Sequence, residues 1–243
     1  MLARQVRSSV EKVPTRLVAV AFDAREPRAV ARFWAELLER DAVDEHDGVL
    51  LPGDDMQVGL RFVAACTQKV GPNRLHLHLA SASPEGQRAT VEKALSIGGH
   101  HLEVGQLPDE EHVVLSDPDG NEFCVIEAGN GFLAGCGPLG EVACDGSRAV
   151  GVFWHQVLEW PLVWDQGQET AIQSPDGGTK LAWGGPPVAP KQGRNRQRFD
   201  VAVNDLETET ARLTSLGATR LADVIEGVEF ADPDGNEFRI ITA

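Results

Sequence analysis

Two histidines lie two residues apart in the sequence LHLHL, which begins at Leu75. In a β-strand, side chains two positions apart point to the same face, so His76 and His78 should share one face while the leucines pack on the other. An imidazole titrates near neutral pH, and either histidine could therefore act as a general base. No carboxylate or nucleophile is placed by the sequence to complete a catalytic set around this pair.

A second group of ionisable residues occupies the corresponding place in the C-terminal half. Arg198 and Asp200 alternate in the same way in the sequence QRFDVAV, and Arg239 follows in a later apolar run. Two arginines around a pocket could hold a carboxylate or a phosphate through paired hydrogen bonds. Alternatively, Asp200 neutralises one of them in a structural ion pair, and the sequence leaves both interpretations open. Trp183, at the end of another apolar run, could add an aromatic wall to a pocket.

Three further histidines and two tryptophans are expected to have structural rather than chemical roles. His100 and His101 are adjacent, so only one of them can face a given side of a strand. We expect both of them, and His112, at the surface or in the core. Trp160 and Trp164 flank a predicted strand and are expected to pack at its edge.

A duplicated framework carries these residues. The heptapeptide DPDGNEF occurs at 117–123 and again at 232–238, each time between two apolar runs. Pro suits the second position of a β-turn and Gly accepts a positive φ just after it, so the motif predicts a hairpin connection. A calcium loop is the rival interpretation, but the later Glu that such a loop requires is missing. The motif therefore indicates architecture, and the chemistry has to lie elsewhere.

Helical periodicity is duplicated as well. Apolar residues recur at i, i+3, i+4, i+7 and i+8 from Val30 and again from Val150, which predicts two amphipathic helices with buried Phe-Trp pairs. In the first half we predict helices at 27–39 and 84–97 and strands at 17–22, 49–51, 57–63, 75–80, 101–104, 112–116 and 122–127. In the second half we predict helices at 147–158 and 205–216 and strands at 139–144, 162–165, 170–173, 179–183, 198–203, 219–222, 227–231 and 236–242.

Composition narrows the classes of partner. The chain has 243 residues and a formal net charge of -15. Nucleic acids and anionic membranes are bound by clustered Lys and Arg, so neither is an expected partner, whereas a cationic ligand would be tolerated or attracted. No apolar run reaches the ~18 residues of a membrane span, and the N-terminus does not resemble a signal peptide, so we expect a cytoplasmic protein. The four cysteines have no framework spacing and are expected to be free thiols.

The repeated βαβββ unit, with DPDGNEF before its last strand, resembles the vicinal-oxygen-chelate superfamily, which contains glyoxalase I, extradiol dioxygenases and the bleomycin- and fosfomycin-resistance proteins. The sequences NRLHLHL, from Asn73, and DPDGNEFCVIE, from Asp117, are most similar to its glyoxalase-like branch. The resemblance implies an α+β fold in which four βαβββ modules form two glyoxalase-like domains with curved, partly open mixed sheets. We expect an N-terminal tail (1–15), domain 1 (16–128), a linker (129–138) and domain 2 (139–243).

The resemblance also implies where a metal would lie, because metal-binding members take ligands from the first strand of each unit and from the last strand. In domain 1 these positions correspond to Arg16, His76 and Cys124, with the cysteine in place of the usual Glu. In domain 2 they correspond to Arg198 and Arg239, and since arginine offers no lone pair, we predict no metal there. In domain 1, His76 and Cys124 could form a remodelled zinc site. A cation beside Arg16 would be repelled, however, which favours a pocket without metal.

We therefore expect a protein that binds a small organic molecule in a concave pocket, without the usual metal or another cofactor. One alternative is a metal-dependent lyase, isomerase or dioxygenase of the glyoxalase type that uses the His/Cys site in domain 1, and another is a non-catalytic structural or regulatory module. Because duplication can supply the pairing that single-copy relatives obtain from two chains, we expect a monomer or a weak homodimer. The expected ligand-binding residues are Arg16, His76, His78, Cys124, Trp183, Arg198, Asp200 and Arg239, with His76 and His78 as candidate catalytic groups.

Overall fold

A computed structural model of the protein describes residues 15–66, 69–107 and 109–243, so the predicted N-terminal tail lies almost wholly outside the described residues. Within them the chain forms four successive βαβββ modules. Module 1 contains β1 (Arg16–Ala24), α1 (Pro27–Leu38), β2 (Val43–Asp44), β3 (Gly48–Leu51) and β4 (Gly59–Ala64). Module 2 contains β5 (Leu75–Leu79), α2 (Pro84–Ser96), β6 (His100–His101), β7 (Val113–Ser116) and β8 (Glu122–Val125). Module 3 contains β9 (Leu139–Cys144), α3 (Arg148–Leu158), β10 (Leu162–Gln166), β11 (Glu169–Ser174) and β12 (Gly177–Trp183). Module 4 contains β13 (Gln197–Val203), α4 (Leu206–Leu216), β14 (Thr219–Val224), β15 (Gly227–Ala231) and β16 (Glu237–Thr242).

The modules combine into two eight-stranded mixed sheets that do not close into barrels, which confirms the predicted α+β architecture. Sheet A joins modules 1 and 4 in the order β14-β15-β16-β13-β1-β4-β3-β2. Sheet B joins modules 2 and 3 in the order β10-β11-β12-β9-β5-β8-β7-β6. Modules 2 and 3, which follow one another in the chain, meet through β5 and β9, whereas modules 1 and 4 pair with each other through β1 and β13. Neither half of the chain forms a sheet alone, so residues from both halves meet on each sheet.

One hydrophobic core lies between the helices and one face of each sheet. The leucines of β5 belong to it together with the aromatic pair of α1, as the sequence predicts. Trp34 packs edge-on against Phe123, with ring centroids 4.9 Å apart, and Trp154 does the same against Phe238. We call the opposite face of each sheet its open face. The two histidines of β5 point to the open face of sheet B because they alternate with the buried leucines.

The DPDGNEF motif forms the two hairpin turns that the sequence predicts, between β7 and β8 and between β15 and β16. In the first copy, the Asp117 carboxylate accepts backbone N–H groups of Asp119 and Asn121, each at 2.9 Å. It also accepts the indole N–H of Trp34 at 3.1 Å, which ties the turn to helix α1. Asp232 accepts the equivalent backbone N–H groups in the second copy. The oxygens of the first Asp are thus used to hold the turn, as the architectural interpretation requires.

Two further findings concern properties predicted from composition. Within the described residues, no helix is long and apolar enough to cross a bilayer. All four cysteines are free: Cys66 is exposed, Cys124 is half-buried, and Cys136 and Cys144 are buried.

Candidate functional site

Four side chains from neighbouring strands line up across the open face of sheet B. Cys124 on β8 is the register partner of His78 on β5, His78 is opposite Glu141 on β9, and Glu141 is beside Lys180 on β12. We call these four residues the central row. Side chains of register partners lie on the same face of a sheet, so the row joins a thiol, an imidazole, a carboxylate and an ammonium. Modules 2 and 3 contribute two residues each, so the row requires both halves of the chain.

His78 carries a positive charge at the centre of this row. Its Nδ1 lies 2.8 Å from Oε2 of Glu141, and 21% of its side chain is exposed. Burial alone would lower its pKa, but hydrogen bonding to Cys124 and Glu141 and the charge of Glu141 together raise the pKa of His78 to about 10. His78 is therefore an imidazolium at neutral pH, in which both ring nitrogens are donors.

His76 differs from His78 in protonation, although both lie on one strand. It is opposite Ala143 on β9, one row away from His78. Burial lowers the pKa of His76, and the nearby carboxylates of Glu122 and Asp145 offset this only in part. His76 is therefore neutral at pH 7 and keeps one ring nitrogen as an acceptor. The pKa values of the two histidines are shifted in opposite directions.

A cavity of about 410 Å³ lies over the open face of sheet B beside His76. Three alanines on adjacent strands, Ala143, Ala182 and Ala171, are register partners and form its floor. An alanine rises only one methyl group above the sheet, so three of them side by side leave a hollow. The surrounding walls include the side chains of His76, Phe132, Glu141, Asp145, Trp164 and Glu169.

Phe132 and Trp164 form the aromatic wall of the cavity. Their ring centroids are 6.1 Å apart and their planes are inclined at 82°, an edge-to-face contact. The ammonium of Lys180 lies 4.2 Å from the centroid of the Phe132 ring and also donates a hydrogen bond to the Phe132 carbonyl oxygen. Phe132 thus connects the central row to the cavity. The segment predicted as a linker (129–138) contributes directly to the site.

The open face of sheet A carries ion pairs between its own side chains. Nη1 of Arg61 lies 2.6 Å from Oδ2 of Asp200, and Nε of Arg61 lies 2.8 Å from Oε2 of Glu45. Arg198 is fully buried, and its Nη1 lies 2.6 Å from Oδ1 of Asp23. These charges balance one another in the interior of the protein.

Arg239 on β16 is also opposite a carboxylate, that of Glu229 on β15. Nε of Arg239 lies 3.6 Å from Oε1 of Glu229, which also pairs with Arg194. Of the two interpretations of Arg198 and Asp200, this geometry favours the structural ion pair over a pocket for an anion.

The structure separates Arg16 from the two histidines. Arg16 is opposite Ala202 in sheet A and lines a different cavity, whereas His76 and Cys124 belong to sheet B. The register partner of Cys124 is His78 rather than His76. The set carried over from the resemblance is not brought together, because the two first strands of one half belong to different sheets. The repulsion expected from Arg16 therefore does not act on this site.

Other predicted residues have structural positions. Trp183 borders the cavity, but only 2% of it is exposed and it packs in the core. Its ring lies so close to Gly146 and Gly151 that a side chain at either position would contact it. His100 and His101 are exposed, and His112 is half-buried.

The central row does not fit the divalent metal that the resemblance implies. Lys180 stands at the fourth position and offers an ammonium, which has no lone pair for a metal. Nδ1 of His78 is already engaged with Glu141. Across 15–66, 69–107 and 109–243, no three His, Cys, Asp or Glu side chains converge closely enough to hold a metal ion.

Sequence reasoning missed Glu141, Lys180, Phe132 and Trp164. Glu141 and Lys180 each interrupt an apolar strand, LGEVAC and TKLAWG, and such an interruption signals a functional or paired position. Only the pairing of modules 2 and 3 brings them beside His78. Phe132 lies in a glycine-rich segment whose course the sequence does not reveal.

Comparison with known proteins supports the fold. The family model for the glyoxalase-like domain matches residues 19–126 and 141–241. Glyoxalase I from Zea mays is similar in structure, with a TM-score of 0.69 at 15% sequence identity, over 94% of this chain and 92% of that chain. A proposed dioxygenase from Bacillus subtilis subsp. subtilis str. 168 has a TM-score of 0.54 at 16% identity, over 95% of this chain and 85% of that chain. None of the curated proteins matches the chain. At such identities, the structural likeness concerns the fold alone.

Proposed function

Because this chain belongs to the glyoxalase-like domain family, we propose that it binds a small organic molecule in the sheet B cavity and does so without a divalent metal. The observation that carries this proposal is the difference between the two open faces. Sheet A is closed by buried ion pairs, whereas sheet B has a cavity of about 410 Å³. Cavities of this size, with apolar surfaces and a few convergent polar groups, are typical of small-molecule sites.

Two groups of side chains in the cavity can contact a ligand, one apolar and one polar. The alanine floor and the ring pair of Phe132 and Trp164 provide apolar contact area. The neutral His76 keeps one ring nitrogen as an acceptor, which can orient a polar group of the ligand, while its N–H is hydrogen-bonded to the Asn73 backbone. At the side of the floor, His78 and Glu141 are paired with each other at 2.8 Å, so the charge of Glu141 is already balanced.

Filling the cavity tests this proposal. The substitution Ala143→Leu places three more carbon atoms into the hollow, and we expect it to weaken ligand binding at least tenfold. The matched control is Ala222→Leu, at an exposed position on β14 of sheet A. Binding is measured by ligand-observed NMR with a library of small aromatic and aliphatic fragments. Fragments that bind Ala143→Leu as well as they bind the native protein would refute the proposed site.

One alternative is a metal-dependent lyase, isomerase or dioxygenase of the glyoxalase type. Its metal would have to recruit Cys124, His78 and Glu141 from the central row, although Nδ1 of His78 is already engaged with Glu141 and Lys180 stands beside Glu141. The metal content of protein purified without chelator or nickel resin separates the two functions. We expect no stoichiometric metal and an unchanged melting temperature in EDTA. Stoichiometric Zn, Ni or Fe that is lost in His78→Ala would establish the alternative.

We also propose that the protein is a monomer or a weak homodimer. In each sheet, the first strands of two modules from one chain pair with each other, β1 with β13 and β5 with β9. The pairing between modules is thus satisfied within the chain. Sedimentation velocity should show a monomer at micromolar concentration, and a tight tetramer would contradict the proposal.

A further inference from the structure

We propose that the ligand of the sheet B cavity is an organic cation: an ammonium or guanidinium group attached to an aromatic or other apolar body. This inference rests on the proposed function, since it names the class of molecule that the same cavity selects. It is carried by the charges, the aromatic rings and the floor of the cavity.

The carboxylates of the cavity exceed its cations. Glu141, Asp145 and Glu169 all line it, while none of its described lining residues is Lys or Arg. Glu141 is balanced by His78. Asp145 and Glu169 are not paired with any cationic side chain among the residues that the structure describes. A bound cation would therefore meet two carboxylates that are free to pair with it.

The aromatic wall also suits a cation. The faces of aromatic rings attract ammonium groups, and the cost of removing the cation from water is partly recovered there. The structure contains an example, because the Lys180 ammonium already lies 4.2 Å from the centroid of the Phe132 ring. Trp164, whose indole gives the strongest contact of this kind, stands beside Phe132 on the cavity side.

The alanine floor suits the apolar body of such a ligand, and the neutral His76 does not oppose its charge. Ala143, Ala171 and Ala182 offer an apolar surface with no polar atoms in their side chains. His76 is neutral, so it neither repels a cation nor attracts an anion. An anionic ligand would face Asp145 and Glu169 with no Lys or Arg among the described lining residues of the cavity, and the net charge of -15 would oppose its approach.

Three probes of matched shape test the charge preference: 2-phenylethylamine, 2-phenylethanol and 3-phenylpropionate. We expect the amine to bind at least tenfold more tightly than the alcohol, and the carboxylate to give no measurable binding, in isothermal titration calorimetry supported by ligand-observed NMR. Charge-assisted hydrogen bonds are strong enough for a difference of this size. Raising NaCl from 20 to 300 mM should weaken binding of the amine and leave the alcohol unchanged, because salt screens only the charged ligand.

Substitutions that keep the shape of the cavity locate the effect. Asp145→Asn and Glu169→Gln should each reduce the preference for the amine over the alcohol about fivefold or more, and the double variant should abolish it. Asp176→Asn, at an exposed turn outside the cavity, is the matched control and should preserve the preference.

The outcomes separate this inference from the proposed function. If the amine and the alcohol bind equally and Ala143→Leu blocks both, the cavity is a ligand site without preference for cations, and the inference is wrong. If the amine is preferred but the double variant retains the preference, the carboxylates do not select the ligand and the inference is again wrong. If no probe binds and no fragment responds to Ala143→Leu, both the inference and the proposed function fail.

Discussion

The two sheets have the same topology, but around one central position their open faces carry different side chains: large and charged on sheet A, short or neutral on sheet B. Register makes their positions directly comparable: Arg198 in sheet A stands where sheet B has His76, and Arg61 stands where sheet B has Ala182. Between these two positions, each sheet has an alanine on a central strand: Ala21 in sheet A and Ala143 in sheet B. In sheet A, two long guanidinium side chains and their carboxylates cover that alanine, so Ala21 is completely buried. In sheet B, the neighbours of Ala143 are Ala182, which is short, and His76, which is neutral. The surface above Ala143 therefore stays open.

This contrast indicates how a duplicated fold can divide its roles. A concave face needs small side chains to admit a ligand, and it needs its charges to be available for pairing. Sheet A has large side chains whose charges are paired with one another, so its open face serves stability. Sheet B has alanines and two carboxylates that are not paired with a cationic side chain among the described residues, so its open face can serve binding.

The largest expected difference between the faces concerns Arg198 and its counterpart His76. Arg198→Leu leaves the carboxylates of Asp23 and Asp200 buried with one cation fewer, which should lower the free energy of unfolding by about 3–5 kcal/mol. His76→Leu removes a neutral, partly exposed imidazole and should cost about 1 kcal/mol or less. Urea denaturation followed by circular dichroism measures both values.

Equal costs for the two leucine variants would contradict this comparison. A small cost for Arg198→Leu alone would show that the ion pairs of sheet A adjust to the loss. It would also reopen the interpretation of Arg198 and Arg239 as holders of a bound anion.

A smaller difference should separate the two central alanines. Ala21→Leu forces three extra carbon atoms between Arg61 and Arg198 and should destabilise the protein by about 1–3 kcal/mol, the usual cost of overpacking. Ala143→Leu extends into the cavity and should change the free energy of unfolding by less than about 0.5 kcal/mol. The same urea titrations give both values. A destabilisation of similar size at Ala143 would mean that the hollow is too small to accept a side chain.

The general architecture was predictable from the sequence, because it is determined by local signals. The helical stripes from Val30 and Val150 and the turns of the repeated motif gave the α+β class and four modules. Short, weakly paired elements were less accessible: β2 (Val43–Asp44) was missed, and the strand predicted at 101–104 is the two-residue β6. Their residues are exposed, so no hydrophobic periodicity marks them.

The candidate site was only partly predictable, because its residues converge through module pairing. The alternation around His76 and His78 correctly placed both on one face. Nothing in the local sequence, however, shows whether module 2 pairs with module 1 or with module 3. In the structure, Glu141 and Ala143 of module 3 lie opposite the two histidines, and no residue of module 1 does. Which residues share a site thus depended on long-range contacts that a single sequence does not reveal.

The smallest expected effect is a pH dependence that belongs to sheet B alone. The pKa of His78 is raised to about 10 in the folded protein, compared with about 6.5 in an unfolded chain. Its contribution to stability is therefore complete below pH 6.5 and is lost as the pH rises towards 10. The free energy of unfolding should fall between pH 7 and 9 by about 1 kcal/mol per pH unit or less. The arginines of sheet A stay charged throughout this range and add no slope.

Two variants on the same strand isolate this effect. His78→Gln removes the titrating group, so its free energy of unfolding should fall less steeply than that of the native protein between pH 7 and 9. His76→Gln should keep the native slope in that range, because burial lowers the pKa of His76 and moves its titration to the acidic side. Other titrating groups, including the cysteines and lysines, are common to all three proteins and cancel in the comparison. If the native protein and His78→Gln show the same slope, the imidazolium is not held by Glu141, and the charge balance of the cavity would have to include Glu141 as a third available carboxylate.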